Sequence, residues 1–177
     1  MVVEEEGCLC LLNPATKEYK RIPDPEILAK RPPYYVFKDY GFGYSPRTDE
    51  YKVVVIRGYK IEENIHNDSW VYTLGTNSSW RLIEGSTYWI HTGSHALVNG
   101  ALHWMAISDM PGFSILLISF DLGDEKFRLL SLPKSLSQED INHMGLLESD
   151  GFLSLCHWMA DGKFDVWIMK DYGDEQS

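Results

Sequence analysis

Basic residues are scarce: 16 Lys and Arg stand against 26 Asp and Glu in 177 residues, a formal net charge of −10 at pH 7. Such a field repels nucleic acid and anionic lipid unless a local basic patch overrides it, and the sequence holds no such patch. Long apolar runs are missing too. The best, Ile115-Leu116-Leu117-Ile118, is cut short by Ser119 and falls far below the ~18 residues of a membrane-spanning helix. Cysteine is limited to Cys8, Cys10 and Cys156, an odd number with one pair too closely spaced for an easy intrachain disulfide, which predicts buried thiols in a reducing compartment. The opening residues Met1-Val2-Val3-Glu4-Glu5-Glu6 lack a basic region, an apolar stretch and a cleavage site, so a cytoplasmic and/or nuclear location is expected.

Catalytic signatures are equally sparse. There is no Gly-x-Ser-x-Gly elbow, no His-Glu-x-x-His, no phosphate-binding glycine loop and no Gly-x-Gly-x-x-Gly turn. His91 and His95 lie four apart, a spacing that would start a zinc site on a helix, but Gly93 and the surrounding strand pattern argue against a helix there. Cys156 and His157 are neighbours on an expected strand and so point to opposite faces. Asn67-Asp68-Ser69 and Asn77-Ser78-Ser79 match the glycosylation pattern without a secretory signal to make use of it. The expectation is therefore no catalytic residue, no metal and no cofactor. The alternative is a propeller-type enzyme or small-ligand domain, whose reacting carboxylates would come from distant parts of the chain.

What is present is repetition. His103-Trp104-Met105-Ala106 recurs 54 residues later as His157-Trp158-Met159-Ala160. Asn99-Gly100 and Asp150-Gly151, just upstream of the two copies, each predict a tight β-hairpin. A second pattern closes one strand and opens the next with aromatics, Tyr72 to Trp80 and Phe120 to Phe127. The turns between, 73–77 and 121–125, offer Gly75, Asn77 and Gly123 for positive φ. Tyr72, Phe120 and Trp167 follow at steps of 48 and 47 residues. A period of about fifty residues with four short strands and no amphipathic helical pattern predicts radial β-propeller blades.

The strands divide into a half unit at 8–12 and 19–22, a full unit from 42 to 83, a third from 95 to 132, and a last from 144 to 169 that stops after three strands. That makes about thirteen strands in consecutive four-stranded antiparallel blades, with room for a helical turn only near 23–31 and 135–141. Trp80, Trp104, Trp158 and Trp167 are expected to fill the space between sheets, and His103 and His157 to be structural histidines bonded to backbone. In an up-and-down blade the tight turns and the longer connections emerge at opposite ends. The long connections 57–68, 84–93, 108–114 and 133–142 are thus expected to share one rim, where Tyr59, Tyr88, Trp89, Met110 and Phe113 would anchor a partner. Glu62 and Glu63 would steer a basic one.

Six segments spread over the chain resemble, in order, the F-box associated interaction domain of plant F-box proteins, including the S-locus group. They are Leu12-Asn13-Pro14-Ala15-Thr16-Lys17; Gly41-Phe42-Gly43-Tyr44 with Asp49-Glu50-Tyr51-Lys52-Val53-Val54; Val71-Tyr72 with Ser79-Trp80-Arg81; Leu97-Val98-Asn99-Gly100-Ala101-Leu102-His103-Trp104; Ser119-Phe120-Asp121-Leu122-Gly123 with Phe127-Arg128; and Val166 through Gly173. The resemblance implies an all-β, kelch-like propeller portion. It implies a single domain over 1–177, without the N-terminal F-box or the C-terminal blades that relatives carry. The implied role is that of a non-catalytic substrate receptor in a Skp–cullin–F-box ubiquitin ligase. The implied partner is a target protein, a basic one such as an S-ribonuclease fitting the acidic field, with the Skp adaptor and cullin reached only through an F-box and with no nucleic acid or membrane partner.

Overall fold

The computed structural model describes residues 2–5, 8–25, 35–62, 64–75, 78–108, 114–133, 136, 141–159 and 161–173. Among these the chain is all-β, in four antiparallel sheets that each follow chain order. The first sheet holds β1 (Val2–Glu5), β2 (Cys8–Leu12) and β3 (Tyr19–Pro23). The second holds β4 (Tyr35–Ser45), β5 (Glu50–Ile61), β6 (Asn64–Thr73) and β7 (Trp80–Ile83). The third holds β8 (Trp89–Val98), β9 (Ala101–Ile107), β10 (Ile115–Asp121) and β11 (Lys126–Leu130), and the fourth β12 (Met144–Ser149), β13 (Phe152–Trp158) and β14 (Phe164–Met169). The only helical element among the described residues is a 3-10 turn at Ile141–His143. The half unit expected at the front is a three-stranded sheet instead. β1, in an acidic stretch too short to show a period, pairs with β2 from Val2 opposite Leu11 to Glu5 opposite Cys8.

The first strands of successive sheets lie side by side, β1 against β4, β4 against β8 and β8 against β12, while the sheets stack face to face. This radial arrangement is that of propeller blades, and the ring they begin is open among the described residues. Three apolar layers fill the gaps. Leu9, Leu11 and Ile22 meet Val53, Val55, Trp70 and Tyr72. Val54, Ile56 and Val71 meet Leu102, Trp104, Ile118 and Phe120. Met105 and Leu117 meet Leu146, Leu153 and Leu155. Because side chains alternate along a strand, the unbroken run Val53–Ile56 serves two layers at once, and all four residues are fully buried. Gly41 makes the second layer tight: a Cβ there would lie 2.5 Å from a Leu102 methyl and 3.0 Å from the Trp104 ring.

The paired aromatics are where expected. Tyr72 sits opposite Trp80 and Phe120 opposite Phe127, both facing the preceding sheet. The tetrapeptide repeat, however, is out of structural register. The hairpins Asn99-Gly100 and Asp150-Gly151, with φ of 51°, 71°, 52° and 85°, align the blades at an offset of 51 residues rather than 54. Three residues is an odd number, and an odd shift turns a strand residue to the other face. Trp104 is therefore fully buried against the second sheet, whereas Trp158 points away from the third sheet and is 61% exposed. The expected inter-sheet role holds for Trp80, Trp104 and Trp167 and fails for Trp158.

Positive φ is also placed differently. Neither Gly75 nor Gly123 takes it, and Asn77 lies outside the described residues; in the turns at 13–18, 45–50 and 121–125 it falls on Lys17, Asp49 and Glu125. Each is the fourth residue after a short polar side chain that caps the turn. Asn13 Oδ1 accepts from Ala15 N and Thr16 N, Ser45 Oγ from Thr48 N, and Asp121 Oδ1 from Gly123 N and Asp124 N. The turn is thus held by its first side chain, and the left-handed position goes to the residue that re-enters the strand.

Candidate functional site

The tight turns gather at one end of the blades. At the opposite end lie the start of β4, the β5–β6 connection, loop 84–88 and the start of β8. Segment 57–68, expected as a long loop, is instead a ribbon. β5 and β6 stay paired from Lys52 opposite Thr73 to Ile61 opposite Asn64, and Glu62 begins the turn with φ of 56°. β7 pairs only from Ser69 to Tyr72, so the last turns of the ribbon stand clear of their outer neighbour. The second half of segment 84–93 is likewise strand, since β8 starts at Trp89 and carries an irregularity between Ile90 and His95.

Alternation divides the ribbon's side chains. On the face shared with the first layer, the Arg57 guanidinium donates to Asp68 Oδ2 at 2.6 Å and lies 5.6 Å from the Tyr59 ring and 5.1 Å from that of Trp70. The Tyr59 hydroxyl donates to Asp68 Oδ1 at 3.2 Å, and its ring stacks on exposed His66. Burial first, and then the Asp68 carboxylate, push the Tyr59 phenol above its ordinary value. On the other face Trp89 stacks on Phe37 with ring centres 6.3 Å apart, and Lys60 Nζ lies 5.8 Å over the indole. The Asn67 amide donates to the carbonyls of Ser86 and Tyr88, tying loop 84–88 to the ribbon.

Tyr88 and Trp89 are thus neighbours, half-buried against the second layer. Tyr59 is half-buried on the far side of the ribbon, and Glu62 is exposed at its tip. Glu63, Met110 and Phe113 lie outside the described residues. Sequence reading did not single out Arg57, Lys60 or His66. The alternation of Arg57, Tyr59 and Ile61 with Gly58 and Lys60 is the strand signal that would have found them. Asn67, read as a glycosylation acceptor, has its amide nitrogen engaged in those two hydrogen bonds.

Gly93, with φ of 125°, sits in the irregular part of β8, so His91 and His95 occupy a strand rather than a helix turn. His95 lies by the Trp104 ring, and burial raises the Asp39 carboxyl nearby. His103 Nδ1 donates to the Ala96 carbonyl at 3.2 Å, leaving Nε2 to accept from the Tyr172 hydroxyl at 2.6 Å. Desolvation lowers its pKa from 6.5 to about 4, so it is a neutral buried imidazole. Among the described residues no three His, Cys, Asp or Glu side chains come together as a metal set, and no helix is long and apolar enough to cross a membrane. The three cysteines are thiols.

Comparison with known proteins places residues 1–176 on the F-box associated beta propeller domain. A putative F-box protein of Arabidopsis thaliana is 29% identical over 168 residues, which cover 94% of this chain and 51% of the relative. The Arabidopsis F-box protein DOR is 26% identical, covering 91% and 39%, and an Arabidopsis F-box/kelch-repeat protein is 28% identical, covering 99% and 47%. The chain spans about half the length, or less, of these curated relatives.

Proposed function

From the premise that the chain belongs to the F-box associated beta propeller domain family, we propose that it is the target-binding module of an F-box protein. The full protein would be the receptor subunit of a Skp–cullin–F-box ubiquitin ligase, and these residues, acting as one domain over 1–177, would hold the target without catalysing anything. The observation that carries the site assignment is the ribbon end. A rigid, inter-sheet-packed scaffold presents a paired ribbon, loop 84–88 and the start of β8 side by side, the setting in which binding residues usually occur. Tyr59, Tyr88 and Trp89, with Met110 and Phe113, would supply apolar anchors, and Glu62 with Glu63 the steering charge.

The net charge of −10 favours a basic target, for which an S-ribonuclease in self-incompatibility is a concrete instance. The test is capture from plant extract on the immobilised chain with degradation blocked, followed by an alanine scan of both ends against the captured protein. Binding lost with Trp89→Ala or Tyr59→Ala and kept with tight-turn variants supports the ribbon end. The reverse pattern overturns it.

A further inference from the structure

The outward face of the fourth sheet is bare. Side chains alternate along its three strands, so Leu146, Leu153, Leu155 and Trp167 meet the third sheet, while Leu147, Phe152, Trp158, Phe164, Val166 and Ile168 point the other way. Those six are 40–61% exposed. Among the described residues of the paired strands, that face carries no charged side chain. The corresponding faces of the first three sheets each lie against the next sheet along the chain, as Leu9 and Leu11, Val54 and Ile56, and Met105 and Leu117 do. A face of this composition is built to meet another sheet.

Three observations select the same face of a second copy as the occupant. The first is area. On side chains of roughly 200 Å² each, those exposures leave about 550 Å² per copy, so two copies would bury about 1,100 Å², above the ~1,000 Å² that a specific interface needs. The second is charge. Two chains of net charge −10 repel one another, and a face free of carboxylates is where they can meet at close range. The third is shape. Ser154 and Cys156, 0% and 5% exposed, floor a shallow groove between Leu147 on β12 and Val166 and Ile168 on β14. Ridges flanking a groove complement their own copy across a two-fold axis. The outward face of the first sheet is a poorer match, because it would press the exposed Arg21 against a surface with no carboxylate to receive it. A closed dimer is therefore favoured over an open chain of copies. We propose that the 177-residue chain forms a two-fold dimer through the outward faces of its fourth sheets, a surface that shares no residue with the ribbon end.

Sedimentation velocity over about 1–200 µM should show a monomer–dimer equilibrium with a Kd on the order of 10 µM. Well below that concentration the face is open to solvent. Added salt should tighten the dimer, since it screens the repulsion between two acidic chains. Trp158→Ala and Ile168→Lys, both at exposed positions and checked for fold by circular dichroism, should each raise Kd roughly tenfold or more. Leu82→Lys, at a 63% exposed position of the second sheet, and Trp89→Ala at the ribbon end should dimerise as wild type. Trp158 lies on the central strand β13 rather than on the edge strand β14, so its effect separates face packing from edge pairing. Three results overturn the proposal: a monomer at every concentration, a dimer that withstands Trp158→Ala, or species larger than a dimer. None of the three bears on the ribbon-end reading, which rests on capture of a target.

Discussion

Lys52 and Glu125, 73 residues apart and on different sheets, are joined across the second layer: Lys52 Nζ donates to Glu125 Oε1 at 2.9 Å and to the Leu122 carbonyl at 2.8 Å. The Arg81 guanidinium closes the arrangement with two 2.7 Å bonds to the same carboxylate. Lys52 is 3% exposed, so its charge depends on Glu125 together with the more exposed Glu50, whose Oε2 lies 3.3 Å from Nζ.

Replacing Glu125 by Gln should therefore cost about 3 kcal/mol, because it leaves the buried ammonium with only the half-exposed Glu50 carboxylate to compensate it. Burial by itself would raise the Glu125 pKa, but hydrogen bonds from Arg81 and Lys52 bring it below the ordinary 4.5. With the folded value depressed, the carboxylate's contribution is complete above the unfolded value and is lost as pH falls through the folded one. Urea midpoints of wild type and Glu125→Gln should differ most at neutral pH and converge in strong acid. A constant gap would show that the carboxylate's charge is irrelevant.

His103 predicts a second pH dependence. Its folded pKa of about 4 lies below the unfolded 6.5, so the unfolded chain binds the proton first. Stability from this group is full above pH 6.5 and declines as pH drops from there toward 4, by about 3 kcal/mol in all. His103→Gln should flatten that slope. Tyr172→Phe should destabilise by about 1 kcal/mol at pH 7 by removing the donor to Nε2. Chemical denaturation at pH 7 and pH 5 measures both.

The two tryptophans of the repeated tetrapeptide should behave differently. Trp104→Ala empties a fully buried site and should cost about 3–5 kcal/mol. Trp158→Ala removes an exposed ring that touches Phe164 with centres 4.6 Å apart, and should cost under about 1 kcal/mol. Equal large losses would mean that the outward face of the fourth sheet is covered in solution.

Gly41→Ala tests the closeness of the second and third sheets. The added methyl meets Leu102 and Trp104, neither with space to retreat, and should destabilise by about 1–3 kcal/mol through overpacking. Thermal melts of this variant beside a Gly75→Ala control, where nothing lies within 4 Å, separate the packing effect from the general cost of altering a glycine.

Local rules determined a good deal from the sequence alone. Asn99-Gly100 and Asp150-Gly151 supply the positive φ that a two-residue hairpin needs, and the apolar runs on either side pair as expected. Tyr72 with Trp80 and Phe120 with Phe127 were visible as strand partners because each pair brackets one turn, and the fifty-residue spacing gave the blade period. Tertiary structure decided the rest. Whether Trp158 faced a neighbour hung on an offset of 51 or 54 residues, and with a side-chain period of two, identical tetrapeptides fall on opposite faces when they differ by an odd step. The ribbon at 57–68 was hidden because its polar residues gain partners only across the pair or from loop 84–88, as Arg57 does from Asp68 and the Ser86 carbonyl does from Asn67. The burial of Lys52 has no local signal, since nothing near it in sequence forecasts a carboxylate 73 residues away. Pairing within a blade is set by neighbouring residues and can be read locally, whereas contacts between blades depend on which residues the stacked sheets bring face to face.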